Sequence, residues 1–205
     1  MIKAVIFDMG GVLLRTYDSG PREVLGQQYG FSMKEMFHII FASESSQQAE
    51  RGDKTDLEHW SWALDQLGVA AEDREDFIKK WWSGDRMDYE LLEFINGLRP
   101  ALRTGVLSNA WLGTRTNIDK HWGGLDQYFD VVVYSAEVGL RKPDPQIFSL
   151  LLNKLDAKPE ETIFVDDFSE NINAAQALGM QTVQFCSPDQ AKEELLAKLN
   201  HTPQD

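Results

Sequence analysis

The chain has 205 residues, 42% of them hydrophobic, enough for a sizeable core in one domain or in one domain carrying a small inserted module. Its 20 Lys and Arg stand against 33 Asp and Glu, and the net charge of −13 argues against nucleic acid or an anionic membrane surface as a partner. No apolar run of about 18 residues is present to cross a membrane, the start lacks the pattern of a secretory signal, and Cys186 is the only cysteine, so a reducing, cytoplasmic compartment is expected.

Ala4-Val5-Ile6-Phe7 reads as a strand buried on both faces, as in a parallel sheet. Asp8 follows at once, and then Met9 and the pair Gly10-Gly11, which permits a tight turn and close backbone approach to a ligand. Asp8 is thereby placed at the carboxyl end of a central strand, where open α/β sheets bind ligands; capping the next turn is its plainer alternative. From Leu13 to about Gly84 no strand is expected. Ser32-Met33-Lys34-Glu35 is a capping box opening a helix with Met36, Ile39 and Ile40 inward. Thr55-Asp56-Leu57-Glu58 opens another, with Trp60, Ala63, Leu64 and Leu67 at helical spacing and Gly68 as its stop. Phe77, Ile78, Trp81 and Trp82 indicate a third. This block reads as an insertion packed as a lid over the strand ends. Within it, Glu50-Arg51-Gly52-Asp53 reads first as a surface turn and second as a cap-to-core contact.

Beyond the insertion the pattern changes. Asp88 is placed to cap a helix whose Leu91, Leu92, Ile95 and Leu98 form one apolar face. Residues 104–109 form a short strand ending in Ser108-Asn109, and a helix is expected over about 113–121. Val131-Val132-Val133-Tyr134 is a third strand, followed by a loop in which Asp144 caps a helix that starts at Pro145. Residues 162–167 are a fourth strand ending in Asp166-Asp167, and residues 182–185 a fifth, after which Ser187-Pro188-Asp189-Gln190 opens the last helix. The polar tail from His201 to Asp205 is expected to fray. The alternation of helix and strand is the signature of an α/β fold, a doubly wound parallel sheet of about five strands. Right-handed crossovers then bring Asp8, Ser108, the Lys142 loop and Asp166-Asp167 to one rim.

Three carboxylates in one crevice repel one another and raise their own pKa values. A hard divalent cation removes the conflict, and Mg²⁺ suits a site of few carboxylates, waters and phosphate oxygens. The Gly10 carbonyl is a candidate further ligand, and one of the two adjacent acids has helix capping as its alternative role. Ser108 and Asn109, just ahead of a helix, are placed to hold a phosphate, and the Lys142 ammonium to neutralise a phosphoryl oxygen or a nucleophile.

These four rim elements, Phe7-Asp8-Met9-Gly10-Gly11-Val12, Leu107-Ser108-Asn109, Arg141-Lys142-Pro143-Asp144-Pro145 and Phe164-Val165-Asp166-Asp167 with Asn171, resemble in order and placement the four motifs of the haloacid dehalogenase-like hydrolase superfamily. The resemblance extends over the whole chain. It implies a three-layer Rossmann-like core, residues 1–14 and 86–205, with an inserted all-helical cap, residues 15–85. It implies Asp8 as a nucleophile forming an aspartyl-phosphate, and Mg²⁺ held by Asp8, the Gly10 carbonyl and Asp167, with Asp166 as an outer or alternative ligand. Ser108, the Asn109 and Gly11 backbone and Lys142 are implied to hold the phosphoryl group of a small phosphate ester, and Asn171 to orient the fourth motif. The sequence is similar in particular to the branch that includes the bacterial α-D-glucose-1-phosphate phosphatase, which also has Gly at the position of Gly10.

One position departs from the wider family. Its phosphatases mostly carry a second Asp two residues after the nucleophile, to protonate the leaving group and activate water; here that residue is Gly10. Losing a general acid/base is worth about 10²–10⁴-fold in rate. A phosphatase whose leaving group needs little help, such as a sugar 1-phosphatase, is the first reading. A catalytically impaired binding or regulatory protein is the second, and a 2-haloacid dehalogenase, against which the Asp166-Asp167 pair argues, the third.

Overall fold

Strand β1, Ala4–Phe7, is the middle of the molecule, and all four of its residues are buried. On one side it pairs with β4, Arg103–Ser108, and beyond that with β5, Val131–Tyr134. On the other it pairs with β6, Thr162–Asp166, and then β7, Gln181–Gln184. All four pairings are parallel, in the order β5-β4-β1-β6-β7. Phe7 stands opposite both Val106 and Val165, so the residues that end these strands, Asp8, Ser108 and Asp166, emerge on one rim. The computed structural model describes residues 1–200; the tail from His201 to Asp205 lies outside the described residues.

The period of two in a strand divides the core into layers. Val5 and Phe7 face one side, with Val106 and Val165, against Leu91, Leu92 and Ile95 of α6, Tyr89–Asn96. Ala4 and Ile6 face the other, with Leu107 and Phe164, against Ile147, Phe148 and Leu151 of α9, Pro145–Leu155. Each such side chain contributes about 1.5–3 kcal/mol by leaving water, so the apolar run of β1 suits a strand covered on both faces. The expected caps form: the Asp88 carboxylate accepts from the Leu91 N–H at 2.9 Å, and Asp144 from Gln146 N–H at 2.8 Å. Helices α7, Thr114–Trp122, α10, Ser169–Ala177, and α11, Pro188–Asn200, complete the two outer layers.

Between residues 17 and 84 the chain is helical: α1, Gly20–Tyr29, α2, Met33–Phe37, α3, Glu44–Glu50, α4, Asp56–Gln66, and α5, Arg74–Trp82. Both capping boxes form, Ser32 with Glu35 and Thr55 with Glu58. Two details differ from the sequence expectation. Leu14–Thr16 is a strand, β2, antiparallel to β3, Asp85–Met87, so a two-stranded ribbon stands where the helical segment leaves and rejoins the sheet. Three-residue strands of mixed polarity carry no periodicity to read. The helix opened by Ser32 is also shorter than its apolar pattern suggests: it passes at His38–Ala42 into a wider turn, and α3 begins after the Ser43 cap. Among the described residues no helix is long and apolar enough to cross a membrane.

Candidate active site

The turn after β1 is built by its own backbone. The Asp8 N–H continues the ladder to the Val165 carbonyl at 2.8 Å, and the Leu13 and Leu14 N–H groups both return to the Met9 carbonyl at 2.8 Å. The Gly11 N–H donates to the Leu14 carbonyl at 2.9 Å. In this structure the N–H expected to face a phosphate closes the tight turn. Gly11 matters for a different reason. Its φ is +81°, and a Cβ there would stand 2.4 Å from Asp167 Oδ2. Gly11→Ala should therefore lower kcat/KM about 10–100-fold, the usual effect of disturbing the surroundings of a site carboxylate, and cost about 1–3 kcal/mol in backbone strain. Steady-state kinetics beside Gly10→Ala, where a Cβ meets nothing within 4 Å, isolates the effect.

Lys142 is the centre of the charge arrangement. It is 1% exposed, and its ammonium lies 2.8 Å from Asp8 Oδ1 and 2.7 Å from Asp166 Oδ2. Burial acts to lower its pKa, but the two carboxylates outweigh burial and the net shift is upward. Asn109 holds the backbone that carries it: its Oδ1 accepts from the Lys142 N–H at 2.7 Å and its Nδ2 donates to the Lys142 carbonyl at 2.9 Å. The Asn109 side chain thus clamps the lysine. Ser108, at the end of β4, is buried, and its hydroxyl reaches the Asn109 carbonyl only at 3.4 Å, long for such a bond.

The two adjacent acids divide by their partners. Asp166 is fully buried and engaged on both oxygens, by Lys142, by the Phe168 N–H at 2.8 Å, and by Asn171 Nδ2 at 3.1 and 3.0 Å. Asn171 therefore ties down the fourth motif, as its placement suggests. Asp167 Oδ1 is buried without any hydrogen-bond partner. A buried acceptor left unpaired is costly, and an ion is the natural way to satisfy it. Asp8, Asp166 and Asp167 each bring one oxygen to within 4.8 Å of the others, against the single Lys142 ammonium. Hard oxygen donors with an excess of negative charge fit Mg²⁺.

The carboxyl pKa values carry the same imbalance. Burial pushes Asp8 up to about 7, with Asp166 and Asp167 adding to the rise and Lys142 opposing it. Burial and Asp166 push Asp167 up to about 6. In the metal-free protein the folded state then binds more protons than the unfolded chain between about pH 4 and 7. These two groups accordingly destabilise it progressively as pH rises through that window. A divalent cation must displace those protons at pH 5 but meets free carboxylates at pH 8. The rise in Tm on adding Mg²⁺ should thus be larger at pH 8 than at pH 5, measured by thermal unfolding with and without the ion at each pH. A concentration of 100 times Kd corresponds to about 2.7 kcal/mol.

The four motif elements thus meet at one rim in the order that the resemblance requires, and the family described as haloacid dehalogenase-like hydrolase matches residues 2–179. The chain belongs to the haloacid dehalogenase-like hydrolases. Within that family it is similar to D-ribitol-5-phosphate phosphatase of Bacteroides thetaiotaomicron, 29% identical over 213 residues that cover 98% of this chain and 100% of the other. A solved haloacid dehalogenase-family enzyme from the same organism, in complex with magnesium and inorganic phosphate, superposes with a TM-score of 0.73 at 25% identity, covering 89% of this chain and 93% of that one. Other relatives are much longer. Bifunctional epoxide hydrolase 2 of Sus scrofa is 29% identical over 215 residues, which are 95% of this chain and 38% of that protein. The chain spans between 9% and 38% of the length of the first five curated relatives that it matches.

Proposed function

We propose that this chain is a Mg²⁺-dependent phosphomonoesterase for a small phosphorylated metabolite, a sugar phosphate, working through an aspartyl-phosphate on Asp8. The observation that carries the reading is the set of three converging carboxylates balanced by one ammonium, with Asp167 Oδ1 unpaired. Asp8, Asp167 and the Gly10 carbonyl would hold Mg²⁺, with Asp166 behind them. The ion supplies positive charge that offsets the carboxylates and the phosphoryl oxygens. In this reading residues 1–14 and 86–205 are the catalytic core and 15–85 the cap. The protein works in the cytoplasm, consistent with one free cysteine, Cys186, and no disulfide.

The chain's own residues divide the work as follows. Lys142 opposes the rise in the Asp8 pKa and so favours its ionised form, and later faces the transferring phosphoryl oxygens. Asp166, held by Asn171, fixes the lysine. Asp8 attacks phosphorus, the bond to the leaving oxygen breaks, and the phosphoryl group rests on Asp8. Gly10 has no side chain to protonate that oxygen, so the proton comes from water or from the substrate. Water then attacks the phosphoryl group, releases inorganic phosphate and restores Asp8. A leaving group that departs without a protein acid is favoured, and an anomeric sugar oxygen is one.

The experiment is a panel of phosphorylated metabolites, anomeric and ordinary alkyl esters together, assayed with Mg²⁺ and with a chelator. Release of phosphate that depends on Mg²⁺ and is fastest from sugar phosphates supports the reading. Turnover of alkyl esters with none from anomeric esters removes the sugar 1-phosphate part of it, and no turnover at all leaves the binding-protein reading in its place.

A further inference from the structure

The helical segment meets the catalytic rim in two ways: Trp111 packs among Phe41, His59 and Trp60, and residues 46–56 make the polar contacts. Glu50, the last residue of α3, is buried, and its Oε2 accepts from Arg141 Nε at 2.7 Å. Two residues on, Gly52 has φ +75°, and a Cβ there would stand 2.7 Å from the Ala136 carbonyl oxygen, so this turn sits flush on the backbone after β5. The Asp56 carboxylate accepts from the Gly113 N–H at 3.1 and 3.0 Å, and Trp111 Nε1 donates to Ser46 Oγ at 3.4 Å. Burial raises the Glu50 pKa, while the charges of Arg141 and then Lys142 lower it, so the carboxylate lies within electrostatic reach of the lysine.

Arg141 and Lys142 are adjacent, and their side chains run opposite ways, one to Glu50 and one to Asp8 and Asp166. The loop is therefore gripped twice: from the core by Asn109, on the Lys142 backbone, and from the helical segment by Glu50, on Arg141. An ammonium that must meet two carboxylates at hydrogen-bond distance depends on where this backbone stands, and misplacement by about 1 Å is enough to cost activity.

We propose that Glu50 is a positioning residue that acts through Arg141 to hold the Lys142 ammonium between Asp8 and Asp166, so that the lysine is correctly placed only when the cap is seated. The inference rests on the reading of Asp8 and Lys142 as nucleophile and partner. A residue of this kind raises kcat without binding substrate.

The test is a double-mutant cycle of Glu50→Gln, Arg141→Met and the pair, read with p-nitrophenyl phosphate and Mg²⁺ beside hydrogen exchange of residues 136–145 in the folded proteins. Glu50→Gln should lower kcat about 10–100-fold, the effect of losing the outer partner of a site residue, with KM little changed. The double variant should be no worse than the worse single one, because both break the same link. Exchange should quicken at the Lys142 N–H while that of β5 stays as in the wild type. A kcat within about twofold of wild type, or effects that simply multiply, overturns the proposal. If the wild-type protein turns over no ester, the phosphatase reading fails by itself; hydrogen exchange then decides the link, and unchanged exchange of residues 139–142 in Glu50→Gln refutes it.

Discussion

Asp8→Asn should reduce Mg²⁺-dependent phosphate release by at least about 10⁴-fold, the scale of removing a covalent nucleophile. The amide keeps the shape of the carboxylate but does not attack phosphorus. The protein should nevertheless fold. Above about pH 7 the native state holds an ionised Asp8 that burial and two neighbouring acids disfavour. A neutral amide removes that penalty, while Lys142 keeps its 2.7 Å contact with Asp166. Tm at pH 8 in the absence of metal should be unchanged or higher, and the Mg²⁺-induced rise in Tm smaller, because one ligating oxygen has lost its charge. Beryllium fluoride with Mg²⁺ sharpens the test. The acyl-phosphate mimic should form on the wild-type protein and not on Asp8→Asn. Persistence of activity in the variant refutes the nucleophile assignment. Failure of the mimic to form on the wild type favours the binding or regulatory reading.

The sequence made the sheet and its rim legible for a specific reason. Strands buried on both faces have no polar positions, so Ala4-Val5-Ile6-Phe7 and Ile163-Phe164-Val165 stand out, and the first polar residue after each marks the rim. Local rules of capping also carried over, as at Asp88, Asp144, Ser32 and Thr55. What escaped depends on contacts distant in sequence. The β2–β3 ribbon joins residues 14–16 to residues 85–87, and neither half signals it alone. The clamp of the Asn109 side-chain amide on the backbone of a loop 33 residues away has no signal at either position. Glu50 reads first as a surface turn and only second as a cap-to-core contact, because an acid between helices is usually exposed and its partner, Arg141, stands 91 residues later. The choice between Asp166 and Asp167 was open in the sequence for the same reason. Only the partners of each carboxylate distinguish them, and those come from Lys142, Phe168 and Asn171.

Gly10→Asp should increase the turnover of esters with poor leaving groups by about 10²-fold or more, the contribution typical of a general acid/base. Backbone geometry permits the change. Gly10 is not among the glycines with positive φ, it is exposed, and a Cβ there meets nothing within 4 Å. The contrast with Gly11, where a Cβ collides with Asp167, shows that space and conformation require only the second glycine of the pair. Position 10 has room for a side chain, and under the proposed function the chemistry of the leaving group is a reason for its absence. An alkoxide needs a proton as it departs, whereas p-nitrophenolate and an anomeric oxygen need less help. The gain should accordingly be large for alkyl phosphates, small for p-nitrophenyl phosphate, and lost as pH rises through the pKa of the new carboxyl, which adds a basic limb to the pH profile of kcat. The new carboxylate joins three others near one ammonium, so metal-free stability above pH 7 should fall, and added Mg²⁺ should restore it. An equal gain on every ester would point to altered metal binding. No gain on any ester would mean that the leaving oxygen is out of reach of residue 10, and the preference for a self-sufficient leaving group would need another cause.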